Sequence, residues 1–332
     1  MIPPYPLTFQ PLLKQTIWGG RLLGERLGKP IGDATNYAES WEIVDHGQDQ
    51  SVVESGPLAG KPLHELLAHH RNWLIGGKGA LPSDNVLESE GIQNNRFPLL
   101  LKYLDCNRVL SVQVHPSDDY GLKMADPDRG KTEAWFVVDA KPDSVIYAGL
   151  KEGVTASVLR EAIDAGQTEQ ALHRFHPTPG DCVYIPAGTV HAIGAGVLIA
   201  EIQQASNTTF RLYDWDRTDA DGKSRPLHID QSFDVIDFAG GPVQPIRFDE
   251  SISGWQGLVE CDKFRLRAVQ NATVSVGGDD QFHILTVPQG RATLVTQEQS
   301  IEMNTGRSVL LPAAHDEVQL RVGSESIALE MS

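Results

Sequence analysis

Gly180-Asp181-Cys182-Val183-Tyr184-Ile185-Pro186-Ala187-Gly188-Thr189-Val190-His191 is the stretch that decides the fold. A glycine-led turn opens it, a short run rich in Val, Tyr and Ile reads as a strand, and a Pro-small turn then delivers a histidine. The pattern returns, diverged, as Gly306-Arg307-Ser308-Val309-Leu310-Leu311-Pro312-Ala313-Ala314, followed by His315. Such self-similarity predicts two related β-units. Outward from the first copy, residues 99–104, 109–114, 134–138 and 144–148 form further short apolar runs punctuated by Gly and Pro. Short strands at this spacing predict a sandwich or jelly roll. Helical signals are fewer. Residues 62–75 place Leu63, Leu66, Leu67, Trp73 and Leu74 mostly along one face, and residues 156–165 and 168–174 read as short helices. Composition shifts across residues 238–245, which sets the expected boundary between residues 1–240 and 241–332. Strand alternation resumes at 265–269, 282–287 and 292–295. The expected fold is mainly β: two jelly-roll β-barrels, with a few short helices in the N-terminal half.

The chemistry sits in the first unit. Gln113-Val114-His115-Pro116, then Glu133, then His191 offer an amide oxygen, two imidazoles and a carboxylate from three separated segments. That set suits one divalent metal per chain, with zinc first on ligand type. The spacing is too long for a zinc finger and wrong for a helical His-Glu-x-x-His site, so the ligands must converge from barrel strands. The second unit lacks the upstream Gln-x-His and Glu, and is expected to carry no metal. His64, His69 and His70 fall on the polar face of the helix, and His46, His173, His176, His228 and His283 have no convergent partners. Trp18, Trp41 and Trp135 are candidate cavity walls. No glycine-rich phosphate loop is present: Gly76-Gly77-Lys78-Gly79 lacks a strand-then-helix context, and Lys78 reads as a loop tip.

Bulk properties narrow the partners. The 332 residues suffice for two domains. A net charge of −16 argues against nucleic acid and anionic membranes as general partners, though not against an anionic small substrate in a locally cationic pocket. No apolar run approaches the roughly 20 residues of a membrane helix. The N-terminal residues lack the basic and apolar regions of a signal peptide. Cys106, Cys182 and Cys261 are an odd, widely spaced set, expected as buried thiols in a reducing, cytoplasmic compartment. An exposed barrel edge would permit a homodimer.

Gly-Asp-x-x-x-x-Pro-x-Gly-x-x-His resembles the second signature of the cupin superfamily, and Gln113-x-His115 with Glu133 resembles a variant of its first. The Gln in place of a more usual His resembles the type I mannose-6-phosphate isomerases, in their short bacterial form. Five segments resemble that family's motifs in its order: Trp18-Gly19-Gly20, residues 110–116, residues 130–135, residues 186–193, and Glu201-Ile202-Gln203-Gln204 through residues 207–217. The resemblance implies a zinc-dependent aldose–ketose isomerase that interconverts mannose 6-phosphate and fructose 6-phosphate through an enediol(ate). It implies Gln113, His115, Glu133 and His191 as metal ligands, Glu201 as base and Arg211 as an active-site cation. It places Ser111 and Lys102 on the phosphate side. Lys131, two residues before Glu133, is expected to face the same pocket by strand alternation. Ser111 shares a face with Gln113 for the same reason.

Other readings use the same fold. A sugar-binding two-barrel protein without catalysis would be expected to lack one or more of Gln113, His115, Glu133, His191 and Arg211, and all are present. A dioxygenase would favour redox-active iron and His-rich ligation. An isomerase for another phosphorylated or free aldose differs only in substrate.

Overall fold

Strands β5 (Leu99–Cys106) and β12 (Val197–Gln204) are buried at every position, as expected of strands covered on both faces. They pair antiparallel along their whole length, with Leu99 opposite Gln204 and Cys106 opposite Val197. The computed structural model describes residues 3–77, 96–218 and 221–332; Lys78 and Gly79 lie outside them. β5 and β12 are central to a seven-stranded sheet, ordered β1 (Leu12–Gly20), β2 (Tyr37–Ile43), β5, β12, β7 (Glu133–Ala140), β10 (Asp181–Ile185) and β14 (Ile246–Arg247). A five-stranded sheet runs β13 (Phe210–Tyr213), β6 (Val112–Val114), β11 (His191–Ile193), β8 (Ile146–Leu150) and β9 (Leu172–Phe175). Leu104, Trp135, Val183 and Ile199 of the larger sheet share one core with Ile146, Ala148 and Ile193 of the smaller. The candidate site opens between these two layers. A small hairpin of β3 (Asp45–His46) and β4 (Asp49–Gln50) lies outside both.

The C-terminal part repeats the plan with a five-stranded sheet and a four-stranded sheet. The first is β15 (Gln256–Glu260), β16 (Arg265–Gln270), β23 (Ile327–Met331), β18 (His283–Gln289) and β21 (Ser308–Leu311). The second is β17 (Thr273–Val276), β22 (Val318–Val322), β19 (Arg291–Val295) and β20 (Ser300–Asn304). Along β22, Val318, Leu320 and Val322 are buried while Gln319 and Arg321 are exposed, the period-2 alternation of a half-buried strand. The repeated motif keeps its geometry. Gly180 and Gly306 both take a left-handed φ, +89° and +82°, and each leads the strand that pairs with β7 or β18.

Three expectations change. Residues 168–174 form a single 3-10 turn (Thr168–Ala171) and then β9, because so short a stretch gains more by pairing with β8 than by nucleating a helix. Only Val112–Val114 of the 109–114 run is strand; the carbonyls of Val109 and Leu110 accept side-chain hydrogen bonds from Arg217 and Trp215 instead. β14 pairs with β10, so the first pair of sheets extends past residue 240 and changes to the second between Arg247 and Gln256. The two halves are not separate globules. Leu7, Leu63, Leu66, Phe97 and Leu99 pack in one cluster with Leu258, Leu266, Phe282, Leu310 and Leu329. The helix Leu63–Ile75 buries its leucines in that cluster and ends at Gly76, whose φ is +67°. A Cβ there would meet the Asp280 carbonyl oxygen at 2.4 Å.

Candidate active site and metal centre

Strand register brings the functional side chains into rows. Gln113 on β6 lies opposite His191 on β11 and opposite Arg211 on β13, so three expected site residues cross the smaller sheet side by side. On the larger sheet, Lys102 of β5 lies opposite Glu201 of β12, which lies opposite Trp135 of β7. Glu133 is two residues before Trp135, on the same face. Between the rows is a cavity of about 330 Å³. Lys102, Ser111, Gln113, Lys131, Glu133, Glu201 and Arg211 all line it, with Trp18 and Trp135. Trp41, expected on the wall, is not among the lining residues; its ring lies 5.9 Å from the Lys102 ammonium and 4.9 Å from that of Lys14.

His115, Glu133 and His191 are fully buried, and their ligating atoms lie within 4.8 Å of one another. Each imidazole has its tautomer set from behind. Nδ1 of His115 donates to the Thr208 carbonyl at 2.9 Å, and Nδ1 of His191 donates to the Thr189 carbonyl at 2.9 Å. Each Nε2 therefore points inward with a lone pair rather than a proton. Glu133 Oε1 is 3.4 Å from His191 Nε2, and Oε2 is 3.6 Å from His115 Nε2. Gln113 Nε2 sits 3.2 Å from His191 Nε2; a half-turn of the amide presents its oxygen instead. The Lys131 ammonium is drawn to the same place, 3.0 Å from His115 Nε2 and hydrogen-bonded to Glu133. Inward lone pairs beside a carboxylate, all close enough to share one ion, are what a divalent ion requires, so the donor set fits a metal.

Burial dominates the electrostatics. It pulls His115 well below the ordinary histidine range and His191 down to about 3, with Lys131 adding to both, so both rings are neutral and able to ligate. Burial and the neighbouring Glu201 push Glu133 up to about 7 against Lys131 and Lys102. Burial also opposes ionisation of Glu201, but Lys102 and Lys131 outweigh it and hold this carboxyl below its ordinary range. Lys102 Nζ lies 3.1 Å from Glu201 Oε1 and 3.5 Å from Glu39 Oε2. Burial works against its charge, yet these carboxylates raise its pKa. Lys102, expected beside a phosphate, is thus matched by two acids.

Sequence reasoning missed Glu39 and Arg225, which also line the cavity, as do Asn207 and Thr209. Glu39 was within reach, since it lies two residues before Trp41 on an alternating strand. Arg225 carried no signal: it lies in a polar loop and reaches the cavity only through the return of the chain past β13. It missed Asp128 as well. This half-buried carboxylate pairs with Arg96 at 2.8 Å and His46 at 3.4 Å, and accepts from Ser206 Oγ at 3.0 Å and Thr208 Oγ1 at 3.2 Å. It thereby fixes the loop whose Thr208 carbonyl orients His115.

Paired antiparallel sheets with a buried His–Glu–His cluster between them define a cupin-class protein with a candidate metal centre. Residues 7–134 match the family profile described as "Phosphomannose isomerase type I, catalytic domain", and residues 257–329 match "Mannose-6-phosphate isomerase, cupin domain". The chain is 36% identical over 325 residues to "Mannose-6-phosphate isomerase ManA" of Bacillus subtilis, covering 97% of this chain and 98% of that one. It is 35% identical to the "Mannose-6-phosphate isomerase" of Streptococcus mutans, covering 92% of each. The crystal structure of the mannose 6-phosphate isomerase from Bacillus subtilis superposes with a TM-score of 0.83 at 30% identity, over 98% of this chain and 99% of that one. The chain belongs to the type I phosphomannose isomerase family, and it is an isomerase.

Proposed function

We propose that this enzyme interconverts mannose 6-phosphate and fructose 6-phosphate and needs one zinc ion per chain. The observation that carries the reading is that Glu133, one member of the buried His115, Glu133 and His191 cluster, lines the same cavity as Glu201, Lys131 and Arg211. Gln113, His115, Glu133 and His191 would hold the ion, two imidazoles and two oxygen donors suiting zinc. When bound, it supplies a Lewis acid for the sugar oxygens, where charge develops as the proton moves between C1 and C2.

The protein groups do the rest. Glu201, kept ionised by Lys102 and Lys131, is the base that takes the proton from one carbon and returns it to the other. Lys131, at the junction of His115, Glu133 and Glu201, donates to a sugar oxygen. Arg211, in line with Gln113 across the sheet, places its planar fork against the enediolate. Lys102 sets the charge of Glu201 and so belongs to the reacting end of the cavity. Ser111, two residues before Gln113, is a phosphate-side donor. The first pair of sheets carries the chemistry; the second supplies core and carries no metal site.

The test is turnover of mannose 6-phosphate by the purified chain, before and after chelation, with zinc restored. Activity that is lost on chelation and returns with zinc supports the reading. A metal-free chain with full activity would overturn the zinc requirement, and a zinc-loaded chain without turnover would overturn the substrate.

A further inference from the structure

We infer that Arg225, together with Ser111, holds the phosphate of the substrate and makes the enzyme select a phosphorylated sugar over a free one, leaving the neighbouring Arg211 to the enediolate. The inference rests on the proposed isomerase reading and adds the residue that recognises the ester.

Charge divides the cavity. Its carboxylates are Glu39, Glu133 and Glu201, and its cations are Lys102, Lys131, Arg211 and Arg225. Lys102 faces Glu201 and Glu39, and Lys131 faces Glu133 and Glu201. Both lysines at that end are therefore already engaged by carboxylates and are not free to hold a phosphate. Among the described residues, Arg211 and Arg225 make no ion pair with these three carboxylates; the partner of Arg225 is Asp214, which does not line the cavity. The Nε of Arg211 is buried with no hydrogen-bond partner, and its Nη1 donates to the Pro226 carbonyl at 2.8 Å, next in sequence to Arg225.

Arg225 is held by one edge. Its Nε donates to Asp214 Oδ2 at 2.8 Å and its Nη2 to Asp214 Oδ1 at 2.6 Å, a bidentate pair. A guanidinium has five N–H donors, so three remain for a ligand. Asp214 is buried and also holds Arg217, whose Nη1 donates to the Val109 carbonyl at 2.5 Å. Trp215 Nε1 donates to the Leu110 carbonyl at 2.6 Å. These two bonds dock residues 214–217, which include the Arg225 partner Asp214, on the residues immediately before Ser111. On the far side, the Arg211 N–H donates to His228 Nδ1 at 3.1 Å and the His228 N–H to the Arg211 carbonyl at 2.8 Å, bringing the returning chain beside β13.

The backbone of this loop is strained where it turns. Trp215 and Asp216 take left-handed φ values of +57° and +51°, although neither is glycine. Such strain persists only where surrounding bonds over-determine it, and it clusters at ligand clamps. Here the over-determined feature is the position of the Asp214–Arg225 fork.

The test compares wild type, Arg225→Ala and Arg225→Lys as zinc-loaded full chains. It measures KM and kcat for mannose 6-phosphate, the same constants for free mannose, and competitive inhibition by inorganic phosphate. Losing a charge-assisted pair should raise KM for the ester and the inhibition constant of inorganic phosphate together, by roughly 10- to 100-fold. The preference for ester over free sugar should fall by a similar factor. Arg225→Lys, which keeps charge without the fork, should fall between. Unchanged KM and unchanged phosphate inhibition in Arg225→Ala would overturn the assignment. If Arg225→Ala melts early, Arg225→Gln, which can still donate to Asp214, gives the same readings. Absence of wild-type turnover would fault the isomerase reading instead, and phosphate binding by wild type and variant would still decide the role of Arg225.

Discussion

A histidine becomes a metal ligand only when its proton is on the right nitrogen. His115 and His191 meet that condition because each Nδ1 is occupied by a backbone carbonyl. His115→Ala or Glu133→Ala should therefore remove bound metal and activity together, read by metal analysis beside turnover. Arg211→Ala should retain the metal and lower kcat by about a hundredfold or more, since an oxyanion donor is lost; a variant that lost metal too would reassign Arg211 to the centre. On the proposed role of Glu201 as base, Glu201→Gln should keep the metal and lower kcat roughly 10²- to 10⁴-fold. Asp105 offers a different test at this scale. Burial raises its pKa to about 6 against the Leu22 N–H that it accepts, and its Oδ1 has no partner. An acid whose folded pKa is raised above the unfolded value of about 3.9 binds its proton more tightly when folded, so stability falls as pH rises from about 4 to 6. Asp105→Asn should thus raise Tm by about 2–4 °C above pH 6 and have little effect near pH 4. An equal shift at both pH values would contradict a protonation origin.

At the scale of elements, the site depends on where strands stop. β6 is three residues long, and the chain before it is held by side chains of the 214–217 segment rather than by a ladder. The loop between β12 and β13 is likewise tied by Asp128, through Ser206 and Thr208, to Arg96 and His46. Asp128→Ala should release the Thr208 carbonyl from His115 and weaken binding of the proposed metal by about 10- to 100-fold, as other outer-shell losses do. Thr208→Ala, which keeps the carbonyl, should have a much smaller effect. Metal-competition titration of the two variants separates orientation of the ligand from simple loss of a hydrogen bond.

Across the whole molecule, the two halves share a core and a buried polar chain. Lys29 pairs with Glu42 at 2.6 Å, Ser308 donates to Glu42 at 3.2 Å, and Thr286 links Ser308 to the Tyr103 hydroxyl at 2.8 and 2.6 Å. Glu42→Ala leaves the Lys29 ammonium buried without its acid, a loss of about 3–5 kcal/mol. Calorimetry should show one cooperative transition for both halves, displaced as a unit in this variant. Two transitions, with only the later half affected, would mean that the halves fold independently. No helix among the described residues is long and apolar enough to cross a membrane.

The β architecture, the repeat and the His115–Glu133–His191 cluster were legible because each is written locally: glycine-led turns, strand alternation, and ligands at fixed places in short motifs. Register then carried Gln113, His191 and Arg211 into one row, as strand-borne residues permit. What the chain order does not encode is which group meets which across the cavity. Lys102 faces Glu201 and Glu39 because β5 pairs with both β12 and β2, strands far apart in sequence. Arg225 is held at the cavity by Asp214, whose neighbours Trp215 and Arg217 are anchored on carbonyls about a hundred residues earlier. The sequence by itself determined the fold class and singled out the His115, Glu133 and His191 cluster, since local patterns suffice for both. The tertiary structure alone decided the partition of charge within the cavity, because electrostatic pairing depends on distance in space.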